Sequence, residues 1–283
     1  MYSGSVRLSI VGVLFVAAFC RAGQWGSIAS DAAQVSPAET QRFLETICPG
    51  NATATGCSTC PAETAFKNNA EAWQLRTVTF GHFLTPRSED ALVAGLGCEP
   101  HSALMSGAYL FTKDGSGWRK VRYIAGQNAD DCKRLTGTDG RDLLVCEGSD
   151  MHQGVADWFL YLMDVGTDPE AAYFLDVNDT LATCTRLPDG DATSGKIESV
   201  SFVPASAPSA VRIVVTARLG KAAIPDKLLE NCAYREGALR IATASRRYEF
   251  LFDGKTVVPS HRNPPTENTR AIAPRTSYHT AKP

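Results

Sequence analysis

Between about residue 74 and residue 252, apolar and polar positions alternate in short runs broken by Gly, Pro, Asn and Asp. A period of two puts successive side chains on opposite faces of an extended chain, so these runs predict strands. The runs are Thr77–Phe80, Ala91–Val93, Ala108–Phe111, Arg119–Ile124, Leu143–Val145, Trp158–Met163, Ala172–Val177, Ser199–Val203, Val211–Thr216 and Tyr248–Phe252. Asp-Gly occurs at 114–115, 139–140, 189–190 and 253–254, each time between strand-like runs. Both residue types tolerate the positive φ of tight hairpins, so a hairpin-rich antiparallel chain is expected. One segment has a helical pattern instead. Ser36-Pro37-Ala38-Glu39 supplies an N-cap, a first-turn proline and a capping-box glutamate, and Phe43, Leu44 and Ile47 share a face. Cys48-Pro49-Gly50-Asn51 stops that helix, and a second short helix is expected at Pro225–Asn231. The fold class is mainly β: an antiparallel, blade-like meander, propeller-like or a β-sandwich, with a short N-terminal helix and disulfides.

The first residues change the composition that has to fold. Arg7 precedes the apolar run Leu8–Phe19, which is too short for the roughly 20 residues of a membrane-spanning helix and reads as a signal peptide over 1–22. Cleavage after Ala22 leaves Cys20 and Ala22 at the −3 and −1 positions; cuts after Ala18 or Ala29 are chemically acceptable alternatives. A lipid anchor on Cys20 would want a small residue where Phe19 stands. The expected location is secreted or extracytoplasmic, periplasmic in a Gram-negative cell. Removing the leader turns 28 basic against 30 acidic residues into 26 against 30, and nine cysteines into eight. An even cysteine number behind an export signal reads as disulfides. The near-neutral charge argues against a nucleic-acid partner, and no later stretch is apolar and long enough to span a membrane. Residues 23–73 read as a linker (to 35), the helix and a Cys-rich segment; 74–258 as the β-rich domain; 259–283, with five prolines, as a disordered tail.

The β-region contains an internal echo. Glu89-Asp90-Ala91-Leu92-Val93 returns 52 residues later as Arg141-Asp142-Leu143-Leu144-Val145, and Ile197-Glu198-Ser199-Val200-Ser201 follows 56 residues after that. Each unit continues into a hairpin, and four strands in about 50 residues is the size of a propeller blade. On these residues, the chain over about 74–232 resembles secreted β-propellers of the FG-GAP and VCBS repeat class. The resemblance implies blade-like meanders used for display and binding, and a calcium loop of the form Asp-x-Asp-x-Asp-Gly-x-x-Asp. Asp189-Gly190-Asp191-Ala192-Thr193 starts that way, with Ser194 at the glycine position and Ile197 at the last ligand position. Asp189, Asp191 and Glu198 are therefore the calcium candidates, against the alternative that these acids solvate hairpin turns.

Other chemistry is sparse. Cys57-Ser58-Thr59-Cys60 has redox and zinc readings, the latter with Cys98 and His101; in an exported chain structural disulfides are the stronger reading. Cys132 and Cys146 lie seven residues to either side of Asp139, so a hairpin turning there would join them across two strands. Cys48 is expected to pair with Cys57 or Cys60, while the partners of Cys98, Cys184 and Cys232 stay open. His82, His101 and His152, with Asp142 or Asp150, could serve a hydrolase only if the fold gathers them. No nucleophile elbow or phosphate-binding glycine loop is present. Trp118, Tyr123, Trp158, Tyr161 and Tyr173 would stack on a sugar or anchor a protein if exposed, and fill the core if buried. Asn51-Ala52-Thr53 and Asn178-Asp179-Thr180 match the glycosylation sequon. The expectation is a non-enzymatic binding module with an extracellular protein or polysaccharide partner and no cofactor. The alternatives are an extracellular hydrolase and a CxxC thiol oxidoreductase.

Overall fold

The computed structural model describes residues 27–66, 72–100, 104–127, 129–152, 155–167, 171–180, 191–207, 210–223 and 241–260. The expected second helix at Pro225–Asn231, the 189–190 turn, Cys184, Cys232 and the tail beyond 260 lie outside these residues. Helix α1 covers Pro37–Ile47; its N-cap Ser36 accepts a hydrogen bond from the Glu39 amide at 3.2 Å, and Phe43, Leu44 and Ile47 are buried. The strands are β1 (Gln74–Gly81), β2 (Asp90–Leu96), β3 (Ser106–Asp114), β4 (Gly117–Ala125), β5 (Asp131–Thr136), β6 (Asp142–His152), β7 (Val155–Met163), β8 (Ala171–Asp179), β9 (Asp191–Pro204), β10 (Val211–Ala223), β11 (Ala244–Phe252) and β12 (Val257–Pro259). They form three antiparallel meanders of four strands each: β1–β4, β5–β8 and β9–β12.

The alternation along the strands decides how the sheets stack. In β6 and β7, Leu143, Val145, Leu160 and Leu162 pack with Ile213, Val215, Phe250 and Phe252 of the third sheet. The intervening Leu144, Cys146, Phe159, Tyr161 and Met163 pack with Leu92, Ala94, Ala108 and Leu110 of the first. The middle sheet is thus buried on both faces, which is why Trp158–Met163 reads as a nearly continuous apolar run. The far face of the first sheet, with Ala91, Val93, Tyr109 and Phe111, is covered by α1 and the Cys-rich segment. The outward face of the third sheet carries the exposed Arg212 and Arg218 and the partly exposed Thr216.

The echo places Asp90 and Asp142 alike, each opening the second strand of its meander and each buried. The third echo differs: Glu198 lies inside β9, a first strand. Asp142 ties two sheets together. Its carboxylate accepts from the His82 amide at 2.9 Å, and its own amide donates to the His82 carbonyl at 2.9 Å. The neighbouring turn repeats the device, since the Thr138 amide donates to Gly254 in the β11–β12 turn at 3.0 Å. Gly254 has φ +94°, and a Cβ there would lie 2.5 Å from the Thr138 methyl, so only glycine fits.

Residues 27–33, read from composition as linker, form a strap across the first strand of every sheet. The Val200 amide of β9 donates to the Ser27 carbonyl at 3.2 Å, Asp31 donates to Cys132 of β5 at 2.8 Å, and Ala33 donates to Val78 of β1 at 2.8 Å. Ile28, 2% exposed, enters the core between the second and third sheets, contributing about 2 kcal/mol by burial. The mostly small residues suit this path because they let an extended chain lie close against the edge strands.

Glu147 receives the start of the strap, accepting from the Ser27 amide at 2.6 Å and its hydroxyl at 2.7 Å. Burial pushes the Glu147 carboxyl above its ordinary range, and Asp131, opposite it in the β5–β6 ladder, adds repulsion. Asp131 is raised by burial and by Asp130, and Asp130 by burial against the opposing pull of Arg76. Raised carboxyls bind protons more tightly in the folded chain. Their stabilisation is complete below the ordinary carboxyl values and is lost as pH rises through the folded-state values. Glu147→Gln should therefore lose less stability than the parent between about pH 5 and about pH 7. Urea midpoints at the two pH values measure this, and equal losses would contradict it.

Candidate functional site

Among the described residues, the histidine and acidic candidates lie apart from one another. His82 sits at the Asp142 end of β6, with its Nδ1 2.5 Å from the Ser88 carbonyl oxygen, whereas His152 ends the same strand. Ten residues of extended chain separate these ends by about 30 Å, so the fold does not gather His82 and His152 into one hydrolase centre. Asp150 lies at the His152 end, opposite Asp157, and its carboxylate accepts the Met151 amide at 2.8 Å. His101 and the side chain of His152 lie outside the described residues.

The calcium reading meets a similar obstacle. Asp191 and Glu198 are both on β9, where an extended backbone spaces them by about 20 Å instead of wrapping them round an ion. Asp191 pairs with Lys221 at 3.0 Å, and Glu198 holds Arg218 and accepts from the Ser245 hydroxyl at 3.0 Å. Asp189 lies outside the described residues. Among the described residues no three His, Cys, Asp or Glu side chains group to hold a metal.

The cysteines of the CxxC go separate ways: Cys57 is bonded to Cys48 and Cys60 to Cys98, which removes the pair from redox and zinc chemistry. Cys132 and Cys146, direct register partners in β5 and β6, form the third disulfide among the described residues. Loop length ranks the three. Closing the 38-residue separation of Cys60–Cys98 is worth about 4 kcal/mol against about 2.5 for the 9-residue separation of Cys48–Cys57.

The long-range disulfide anchors a place where, among the described residues, exposure, backbone strain and buried charge coincide. Between β2 and β3, Cys98, Leu104 and Met105 adopt φ of 66°, 52° and 50°, a left-handed conformation that side chains disfavour. The Gly97 amide donates to Met105 at 2.7 Å, Met105 to Pro100 at 3.1 Å, and Phe66 to Cys98 at 3.0 Å. Leu96, Met105 and Phe66 are 42%, 44% and 43% exposed, so three large apolar side chains flank one disulfide on a tied-down loop.

The same segments carry a polar layer that runs from the buried Glu99 to the exposed Glu63. Glu99, 5% exposed, accepts from Tyr123 Oη at 2.7 Å and from the Ala65 amide at 3.1 Å. Glu63 accepts from Tyr109 Oη at 3.5 Å and holds Lys120. Burial works against the Glu63 charge, yet Lys120 and its other hydrogen bonds bring the carboxyl below its usual range. Burial first, and the two carboxylates second, push both tyrosines far above the ordinary phenol range. They are permanent hydroxyl donors, which is the opposite of what a tyrosine nucleophile requires. The layer therefore fixes the loop; Gly107 leaves room for it, since a Cβ there would lie 2.0 Å from Tyr123 Oη.

None of this platform was read from sequence. The signal available was two apolar pairs, Gly95-Leu96 and Leu104-Met105, flanking a Cys-Glu-Pro turn. Of the aromatic candidates, Tyr161 is buried, Trp118 donates to Glu39 at 2.9 Å, and Tyr173 meets Phe159 edge-on and Tyr161 at a tilt. Both sequon asparagines are engaged, Asn51 with the Thr59 hydroxyl at 2.8 Å and Asn178 with Asp157. No helix of the described residues is long and apolar enough to cross a membrane, which says nothing of strands. Peptide mapping without reduction should recover Cys48–Cys57, Cys60–Cys98 and Cys132–Cys146; a Cys57–Cys60 peptide would refute this arrangement. No protein family, curated protein or solved structure matches the chain.

Proposed function

We propose that this chain is an exported, disulfide-stabilised binding module that grips a protein partner with the β2–β3 platform. The observation that carries the reading is the exposure of Phe66, Leu96 and Met105 around Cys60–Cys98. Large apolar side chains flanking a disulfide, with Cys98, Leu104 and Met105 held at positive φ, cost little further ordering on binding, which favours recognition. The apolar character of the three suits a protein surface. A polysaccharide reading would need open aromatic faces, and Trp118, Tyr161 and Tyr173 are occupied by packing. Export is supported by the N-terminal leader pattern and by the disulfides, which persist in oxidising compartments. A kinship with FG-GAP and VCBS repeats, proposed on the sequence echo alone, would make the module a display scaffold.

Photocrosslinking from the secreting cell tests the reading. A photoreactive residue at Met105 or Phe66 should capture the same single protein, and one at the exposed Lys255, on a turn of the third sheet, should not. Leu96→Ser together with Met105→Ser should reduce that capture at least tenfold, with stability changed by no more than about 0.5 kcal/mol as expected for surface positions. Equal capture from Lys255, or none from either platform position, would refute the proposal.

A further inference from the structure

The strap of residues 27–33 behaves in its contacts like a bound peptide. It lies in a groove along the first strands of all three sheets, and its backbone donates to or accepts from each of them: Val78 of β1, Cys132 of β5 and Val200 of β9. Its side chains read out two features of the groove. Ile28 fills a site in the apolar core between the second and third sheets. Three positions later the Asp31 carboxylate meets Lys133 Nζ at 2.5 Å and the Arg134 amide at 2.8 Å, a match of opposite charge. Of the two positions between, Ala29 faces solvent and the half-buried Ser30 donates its hydroxyl to the Asp130 carbonyl at 3.0 Å. An apolar anchor, main-chain bonds to strands and a charge clamp are the means by which peptides are recognised along sheet edges.

The groove does not depend on the strap for its other boundaries. Beyond Ala33 the chain runs through the exposed Gln34 and Ser36 into α1, which is fixed by its own core on the first sheet and by Cys48–Cys57. We infer that the β1–β5–β9 groove is a peptide-binding site in its own right. Its ligand is an extended segment with an aliphatic residue followed three positions later by a carboxylate. The strap is its built-in occupant, and the strap of a second copy of this chain is the occupant in trans. This site is separate from the β2–β3 platform and stands or falls independently of it.

The test uses the folded full chain with a protease site inserted at Gln34, cut after folding. A fluorescent peptide of the sequence Ser27–Gln34 is then added and its binding followed by anisotropy and native mass spectrometry. The inference predicts one peptide bound per cut protein, displaced by the unlabelled peptide. Ile28→Asp or Asp31→Lys in the peptide should weaken binding at least tenfold. The uncut protein, its groove occupied at high effective concentration, should bind at least tenfold less. Three results would overturn the inference: no binding to the cut protein, equal binding of the Ile28→Asp peptide, or unfolding on cleavage. The last would make the strap part of the fold and not a ligand of it.

Discussion

The middle sheet carries apolar side chains on both faces, and a sheet of that kind is unstable unless another layer covers each side. Leu143, Val145, Leu160 and Leu162 commit one face to the third sheet; Leu144, Cys146, Tyr161 and Met163 commit the other to the first. The remaining architecture follows from how the stack is ended. The first sheet is also apolar on its outer face, so it requires α1 and the Cys-rich segment. The third sheet ends the stack by alternating: Ile213 and Val215 face inward, Arg212 and Thr216 outward.

Side-chain burial holds the layers together but says little about how they are aligned, and that alignment comes from polar contacts at strand ends and along the edge strands β1, β5 and β9. Asp142 exchanges two hydrogen bonds with the His82 backbone, Thr138 reaches Gly254, and the strap joins β1, β5 and β9. These contacts have direction, so they fix the position of one sheet on the next where dispersion alone would allow sliding. The same logic places the platform. Glu99, buried and bonded to Tyr123, and the more exposed Glu63, bonded to Tyr109, tie the segments around Cys60–Cys98 to the first sheet.

Period-two patterning made the strands legible, because it reflects only which face of each strand is buried. The ten expected strands are all present, and the Cys132–Cys146 disulfide followed from symmetry about one turn. The strand β5 was missed as a run because Asp131-Cys132-Lys133-Arg134 alternates with charged, partly exposed positions. The platform and strap were invisible for a different reason. Leu96 and Met105 look like any apolar residues in sequence, and only tertiary structure leaves them exposed. Ser27, Ile28 and Asp31 sit in a segment of linker composition, yet their partners Glu147 and Lys133 lie more than a hundred residues away. Asp191 and Glu198, seven positions apart in sequence, are spread along β9, and His82 and His152 stand at opposite ends of β6.

Packed on both faces, the middle sheet makes the three meanders a single cooperative unit. Native-state hydrogen exchange as a function of denaturant tests it directly, by following the slow amides of β2 and β3, β6 and β7, and β10 and β11. If the account holds, these amides converge on one unfolding isotherm, with β6 and β7 never opening ahead of their neighbours. Exchange of β6 and β7 at denaturant concentrations where the first or third sheet is still protected would contradict it.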